Sequence, residues 1–229
     1  MSASKYANAQ EVGKKLTPKR AEIMSDDSLG AVAQRLVDAG TQEFVQHGFE
    51  GASISRIVDA AGCNVRMIYH YFGNKAGLYR VCIAQAYDKL RQAEADATFW
   101  ELPPDQAIAA LVRFTFDYMV ENPAFQGLMR IENMASAQQV RDLDAVNTRA
   151  RNLFAAIDLV LARGAASGVF TQRPDPGMLY LSILGLATIH VANQHTMSVV
   201  LGRDLAEAGF LRARRDEVQR VVLASLMAP

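Results

Sequence analysis

The chain lacks the features that mark several large classes of protein. Its 229 residues include only two cysteines and four histidines, and their spacing fits neither a disulfide framework nor a metal site. No run of about eighteen apolar residues is present, so no membrane-spanning helix is expected. The first residues lack the apolar stretch of a secretory signal, so we expect a cytoplasmic protein with reduced thiols.

Sequence motifs of helical enzymes are also missing. There is no Glu-x-x-His pair, zincin motif or P-loop, and the acid and imidazole of Glu43 and His47 lie just before a helix stop at Gly48. We therefore expect no catalysis, no metal and no cofactor. Cys63 and Cys82 are interpreted as small apolar residues of buried helix faces.

The sequence does contain strong helical periodicity, without any alternating strand pattern. From Leu29 to His47, apolar side chains recur every three or four residues, which predicts one long amphipathic helix that ends at Gly48. Ser53 is expected to cap a second helix of about two turns. Gly62 then interrupts the pattern, and Asn64 is expected to cap a short third helix. A long helix followed by two short ones across a glycine turn is a helix-turn-helix pattern.

The third helix has the size and chemistry to read DNA. Seven residues make a helix about 10 Å long, and the major groove of B-DNA is about 12 Å wide. With Ile68 and Cys63 facing the core, six residues are predicted to face outward: Asn64, Val65, Arg66, Met67, Tyr69 and His70. Donors mixed with apolar groups suit contacts to base edges. Four residues at the next helix start suit phosphate contacts: Tyr69, Tyr71, Asn74 and Lys75.

These residues match a known family. The runs FVQHGFEGAS at 44–53, AAG at 60–62 and IYHYFGNK at 68–75 closely resemble the tetracycline-repressor (TetR) family of bacterial regulators. The resemblance implies an all-α homodimer, with an N-terminal three-helix DNA-binding domain for a palindromic operator in double-stranded DNA. A larger C-terminal helical domain would bind a small-molecule effector and form the dimer interface.

Carried over by position, the resemblance also implies roles for single residues. Ser53 and Ser55 would approach phosphates or bases, residues 64–67 would read bases, and Tyr69, Tyr71 and Lys75 would hold the DNA backbone. The sequence departs from the family at three positions. Val65 stands where a lysine or other polar residue is common, Arg66 where a small residue is common, and Ser55 where an arginine is common. The operator sequence is therefore not expected to transfer from a relative.

The charge distribution gives a mixed indication. The 24 basic side chains are balanced by 24 acidic ones, which argues mildly against nucleic-acid binding. However, residues 1–20 hold five basic residues and one acidic residue. Residues 1–28 are thus interpreted either as a basic arm that contacts DNA or as a solvated, disordered tail. Residues 29–74 would be the DNA-binding domain.

Residues 75–229 are expected to form the effector-binding and dimerisation domain. Helices are predicted from Lys75 to about Thr98, from Asp105 as a cap to Glu121, from Pro123, from about Gln138 to Ala166, from Gly177 to about Leu201, and from Arg212 to Leu226. Aromatic and polar side chains among apolar ones are candidates for the effector pocket, although most could be ordinary core: Trp100, Phe114, Tyr118, Phe125, Met129, Glu132, Asn133, His190 and Gln194. Glu132 and Asn133 could select a cationic or hydrogen-bonding effector, unless Glu132 pairs with Arg130.

The sequence therefore predicts a ligand-responsive transcriptional regulator, most simply a repressor that its effector releases from DNA. A corepressor-dependent or activating regulator fits the same residues. So does a helical interaction protein with a vestigial helix-turn-helix, which the neutral charge faintly favours. A steep salt dependence of DNA binding would separate a true DNA-binding protein from this last alternative.

Overall fold

The computed structural model describes residues 30–227, without the side chains of residues 142 and 144–149. Within this range the chain is helical and has no strand, which confirms the predicted all-α class. Ten α-helices follow in order: α1 (Ala31–Gly51), α2 (Ile54–Ala61), α3 (Arg66–Phe72), α4 (Lys75–Ala95), α5 (Pro104–Glu121), α6 (Pro123–Met134), α7 (Asp144–Ala166), α8 (Pro176–Ala192), α9 (Gln194–Leu201) and α10 (Ala208–Met227). Two short 3₁₀ turns lie at Thr98–Glu101 and Val140–Asp142. The predicted basic extension lies outside the described residues.

The first core joins α1 to the two short helices and the start of α4. The three- and four-residue spacing in α1 places Leu36, Val37 and Phe44 on one fully buried face. They pack in one cluster with Ile68 of α3 and Leu78 of α4. Because α1 also packs against α6, this N-terminal unit rests directly on the C-terminal helices.

The second core is organised around α5, which packs against α7, α8 and α10. Its fully or almost fully buried members come from all four helices: Leu111, Phe116, Ile157, Ile183, Val218 and Val222. A small cluster of Leu90, Met119 and Phe125 lies between α4, α5 and α6. Helix α4 packs against both α1 and α7, so it connects the two cores.

Several helix boundaries differ from the sequence predictions. Asn74 and Asp175 cap α4 and α8, accepting hydrogen bonds from the amides of Gly77 (2.8 Å) and Met178 (2.9 Å). Asp105 is not a cap, since α5 already begins with Pro104 at its first turn. Helix α4 ends at Ala95 rather than near Thr98, and α7 begins at Asp144 rather than near Gln138 because a 3₁₀ turn precedes it.

The predicted long helix after Asp175 is in fact two helices. The backbone breaks at Asn193 (φ −116°, ψ 24°), whose side-chain amide donates to the carbonyl of Ile189. Helices α8 and α9 meet there at an angle of 77°. Among the described helices, none is by itself long and apolar enough to cross a membrane. Taken together, α8 and α9 have the length and apolar composition of such a span, but they are bent relative to each other.

Candidate nucleic-acid interface and ligand cavity

Helix α3 has one face in the core and one in solvent. Ile68 is fully buried, whereas Tyr69 is 57% exposed and Val65 is 43% exposed. Asn64, Arg66 and His70 are exposed beside them, so these five side chains face outward as predicted. Met67 differs from the prediction, because it is half-buried and packs against the first core. Tyr71 is half-buried in the same way.

The turn before α3 is fixed by backbone conformation and by a side-chain hydrogen bond. Gly62 adopts the left-handed conformation (φ 61°, ψ 46°) that favours glycine. The amide of Cys63 donates to the carbonyl of Val58 at 3.1 Å. Asn64 Oδ1 accepts a hydrogen bond from the amide of Arg66 at 2.9 Å, but the residue at the N-cap of α3 is Val65, so the predicted cap lies one residue too early. The Asn64 oxygen is thus engaged within the turn. Its NH₂ group remains as a hydrogen-bond donor for another partner.

A buried carboxylate holds α1 against the start of α2. Glu43 Oε1 accepts hydrogen bonds from the amide of Ser53 (2.8 Å) and from Arg56 Nε (2.8 Å). Arg56 also donates to the carbonyl of Gly51 at 2.8 Å. The hydrogen bond from Arg56 holds the pKa of the Glu43 carboxyl below its ordinary value, although burial opposes it. The predicted hydroxyl cap by Ser53 is wrong, since its side chain makes no capping hydrogen bond and its amide bonds Glu43.

Lys75 connects the end of α1 with the start of α4. Its Nζ donates to the carbonyls of Glu50 and Ala52, each at 3.3 Å, and lies 4.8 Å from the centre of the Phe49 ring. The exposed Asn74 immediately before it caps α4. An ammonium group has three donors, so the described contacts leave one for another acceptor. Sequence reasoning did not foresee this structural role of Lys75.

A cavity of about 840 Å³ lies between α4, α6 and α8. Four of the predicted effector residues line it: Phe125, Met129, Asn133 and Gln194. Residues that the sequence analysis had not selected also line it, including Val45 of α1, Arg91 of α4 and Tyr180 of α8. Trp100 lines a neighbouring cavity of about 450 Å³, and Tyr118 lines one of about 710 Å³ between α1, α4 and α6.

The structure gives other roles to three predicted effector residues. Glu132 is 3% exposed, and its Oε2 accepts hydrogen bonds from the amides of Gln139 (3.0 Å) and Val140 (3.2 Å). It thus fixes the turn after α6 and does not line the three cavities, nor does it pair with Arg130 among the described contacts. Phe114 packs between Phe99 and Tyr118 and lines none of these cavities.

His190 is the third of these residues, and it belongs to the second core. Its ring is 4% exposed and stacks on Phe116, with ring centres 4.5 Å apart. Neither ring nitrogen has a hydrogen-bond partner among the described residues. Burial, aided by the charge of Arg214, lowers the pKa of His190 to about 4. The imidazole is therefore neutral at physiological pH. His190 does not line the 840 Å³ cavity.

A buried polar cluster joins the two cavities that flank α4. Arg91 Nη1 donates to Glu94 Oε2 at 2.5 Å, and both Nη atoms lie 3.4 Å from the Tyr180 hydroxyl. That hydroxyl donates to Glu94 Oε1 at 3.4 Å. Burial raises the pKa of Glu94 above its ordinary value, while the charge of Arg91 opposes this. Arg91 lines both cavities. No group of three metal-ligating side chains occurs in the described part of the chain.

Comparison with known proteins places these features in a family. Residues 36–82 match the family described as "Bacterial regulatory proteins, tetR family", and residues 104–222 match "Tetracyclin repressor-like, C-terminal domain". The HTH-type transcriptional repressor NicS of Pseudomonas putida is 31% identical over 172 residues, which cover 75% of this chain and 81% of the relative. The HTH-type transcriptional repressor SCO4008 of Streptomyces coelicolor is 27% identical over 195 residues, covering 84% and 95%.

Solved structures show the same fold. A regulatory protein of the tetR family from Rhodococcus RHA1 superposes with a TM-score of 0.68 at 14% identity, covering 87% of this chain and 99% of that one. The fatty acid degradation regulator FadR from Bacillus halodurans superposes with a TM-score of 0.56 at 23% identity, covering 84% and 98%. Since the C-terminal match alone spans more than half of the sequence and the helix-turn-helix matches separately, the chain belongs to the tetR family of bacterial regulatory proteins.

Proposed function

We propose that the protein is a dimeric, cytoplasmic repressor of transcription that binds a palindromic operator through α3 and leaves it when a small molecule occupies the 840 Å³ cavity. The observation that carries this proposal is the position of α4. Only Gly73 and Asn74 separate the start of this helix from the end of α3, and its other half lines the cavity. A ligand that moves α4 therefore changes the position of α3.

Base reading is assigned to the exposed face of α3. The guanidinium of Arg66 can donate two hydrogen bonds to one guanine edge, and Val65 can pack on a thymine methyl group. Because its oxygen is engaged in the turn, Asn64 would donate from its NH₂ group. Tyr69 and His70 extend the same exposed face. Met67 would contribute through packing that holds α3 on the core, since it is half-buried.

Phosphate contacts are assigned to the rims of this face. Ser55 is exposed on the first turn of α2, and Asn74 and Lys75 lie at the start of α4. The third donor of the Lys75 ammonium and the edge of the half-buried Tyr71 would meet the DNA backbone. Ser53 is half-buried and would position α2 through the hydrogen bond that its backbone N–H donates to the Glu43 carboxylate. These contacts orient the protein without selecting a sequence.

The dimer is proposed to form through the outer faces of α8 and α10. Met178, Leu181 and Ile189 are spaced as one helical stripe on α8 and are 62%, 61% and 49% exposed, with Gly185 between them. Val221 on α10 is 38% exposed. Exposed apolar side chains in such a stripe are typical of a helix that packs against a partner. A second copy would cover them and hold two α3 helices about 34–36 Å apart, one turn of DNA.

The domain division follows from the same proposal. Residues 29–74 would bind DNA, residues 75–229 would bind the effector and dimerise, and residues 1–28 would serve as an additional basic arm. Coupling between such sites is commonly about 1–3 kcal/mol, which is a change of about five- to 150-fold in operator affinity. The ligand would provide this energy by binding one position of α4 better than the other.

The test is the affinity of the purified chain for the DNA upstream of its own gene, measured by fluorescence anisotropy over a salt series. Tight binding that falls steeply with salt and resists an unrelated duplex is expected. Arg66→Ala should cost about 1–3 kcal/mol at particular base pairs, and Lys75→Ala should weaken binding to every sequence. Lys89→Ala, an exposed change farther along α4, is the matched control. Circular dichroism verifies that each variant is folded.

Equal and weak affinity for all duplexes, unchanged by Arg66→Ala, would contradict the repressor proposal. That result would favour an interaction protein with a vestigial helix-turn-helix. Binding that appears only after a small molecule is added would instead indicate a corepressor-dependent regulator.

A further inference from the structure

The charge of the 840 Å³ cavity is of one sign. Of the described residues that line it, Arg91 and Arg130 are cationic, and none is an aspartate or a glutamate. The remaining polar residues of the wall are uncharged amides and hydroxyls: Tyr87, Gln126, Asn133, Tyr180, Thr188, Asn193 and Gln194. A cavity with this lining favours an anion over a cation, which is the opposite of what Glu132 suggested in the sequence.

Arg91 is held in place with a donor to spare. Its side chain is 10% exposed, and its Nη atoms bond Glu94 and Tyr180. Its Nε is buried and has no hydrogen-bond partner among the described residues. Leaving such a donor unpaired destabilises a protein. Because this Nε has almost no accessible surface, an acceptor group on a ligand would satisfy it only after a shift of the side chains that cover it. The guanidinium is thus oriented in advance by two partners, and the fork of Nε and Nη suits a carboxylate.

The rest of the wall favours an apolar ligand body. Leu90, Met119, Phe125 and Leu184 line the cavity together with Arg91 and pack against one another in one apolar cluster. A ligand with a single negative charge suffices to balance the charge of the cavity. Glu94 already neutralises Arg91, so the one positive charge left over is that of Arg130 on the exposed rim. A dianion such as phosphate would exceed this charge and would leave the apolar wall unused.

We propose that the effector is a small organic monocarboxylate with an apolar body, bound with its carboxylate on Arg91 and its body against Leu90, Phe125 and Leu184. This inference rests on the proposed function, since it names the ligand of the same cavity. It also names the point of action: Arg91 belongs to α4, so the carboxylate binds directly to the helix that continues from α3.

The single tryptophan provides a built-in reporter. Trp100 lines the neighbouring cavity together with Arg91 and Glu94, and its Nε1 donates to the carbonyl of Glu94 at 3.1 Å. A ligand that alters the Arg91–Glu94 pair changes the surroundings of the indole. Intrinsic fluorescence of the whole native protein therefore reports the site.

The experiment titrates matched pairs of probes while Trp100 fluorescence and thermal unfolding are recorded. The pairs are benzoate with benzamide and hexanoate with hexanamide, and inorganic phosphate is tested beside them. We expect saturable binding of at least one carboxylate, with an affinity about tenfold or more above that of its amide, since a hydrogen bond to a charged group has this strength. Phosphate should neither bind nor compete.

Two variants assign the effect to Arg91. The pair Arg91→Met with Glu94→Gln removes both buried charges together and should abolish the preference for carboxylate over amide. Arg91→Lys retains the charge without the Nε donor and should lose most of that preference, which keeps the test valid if the double variant fails to fold. Arg113→Met, an exposed change on α5 whose partner is Gln219, is the control and should bind like the parent.

The inference is overturned if no carboxylate binds, if amides bind as well as acids, if phosphate binds best, or if the Arg91 variants keep the preference. Operator binding is measured separately on the same samples. A chain that binds its operator but shows no carboxylate preference remains a regulator and refutes only this inference. A chain that prefers carboxylates but binds no operator supports the inference about the cavity and refutes the repressor proposal.

Discussion

Replacement of His190 should remove a defined part of the acid sensitivity of folding. The imidazole is stacked on Phe116 without a hydrogen-bond partner among the described residues, and its pKa is about 4 against 6.5 when unperturbed. Below pH 6.5 the unfolded chain therefore binds a proton that the folded chain excludes. Stability is thus lost as the pH falls from 6.5 towards 4, and this loss is complete below 4.

The size of the effect follows from these two values. At about pH 5, a histidine with a pKa of 6.5 in the unfolded and about 4 in the folded state destabilises the folded state by about 2 kcal/mol relative to neutral pH. In His190→Leu this contribution is absent. The variant should therefore lose about 2 kcal/mol less than the parent when the pH is lowered from about 7.5 to about 5.

The assay is urea unfolding at both pH values, followed by circular dichroism. One fixed protein concentration is used because the proposed dimer would unfold in a concentration-dependent way. His195→Leu, a change at an exposed histidine of α9, is the matched control and should lose as much stability as the parent. Equal pH dependence in the parent and in His190→Leu would refute the argument that the buried ring excludes the proton. The carboxylate affinity of His190→Leu should be unchanged, since His190 does not line the cavity.

Two further predictions concern the DNA-binding half. In Gly77→Ala, the new Cβ would lie 1.9 Å from the carbonyl oxygen of Phe72, so α3 must shift. Operator affinity, measured by fluorescence anisotropy, should fall by about tenfold or more, roughly the cost of one misplaced base contact. The control is Gly51→Ala, whose new Cβ would meet an atom only at 3.5 Å, and it should bind the operator normally. In the parent, the lowered pKa of Glu43 stabilises the folded state above the unfolded value of 4.5, and this stability is lost as the pH falls through the lower folded value. Glu43→Gln should lack this contribution. Acid titrations followed by circular dichroism should then show a smaller loss below pH 4.5 for the variant, and identical acid curves would contradict the role of Glu43.

The helix-turn-helix could be predicted from the sequence because its signals are local. The spacing of apolar residues in α1, the left-handed turn at Gly62 and the cap at Asn74 each act within a few residues. The break at Asn193 was missed because neither proline nor glycine marks it, although the polar run at 193–196 (NQHT) interrupts the apolar residues there before they resume at Met197. The bend lies at Asn193 itself, whose side-chain amide donates to the carbonyl of Ile189 and so competes with continuation of the helix.

The ligand cavity was only partly predictable for a related reason. Phe125, Met129, Asn133 and Gln194 were selected by residue type, and they do line it. In the sequence, Arg91 and Glu94 are three residues apart and resemble an ordinary solvent-exposed pair. The residue whose hydroxyl contacts them in the folded protein, Tyr180, lies 89 positions away from Arg91. Glu132 was misassigned because its partners are backbone amides of a turn whose path the sequence does not reveal.

Val45 gives the cavity a second property. This residue belongs to α1 of the DNA-binding unit, yet it forms part of the cavity wall, and its side chain also faces Gly127 of α6 so closely that a Cβ there would lie 2.6 Å away. A molecule that binds Arg91 without reaching Val45 would occupy the cavity without touching α1. A longer molecule would press on the seam between the two units. Under the proposed function, occupancy and signalling would then depend on different parts of the ligand, and short analogues would act as antagonists while longer ones would induce.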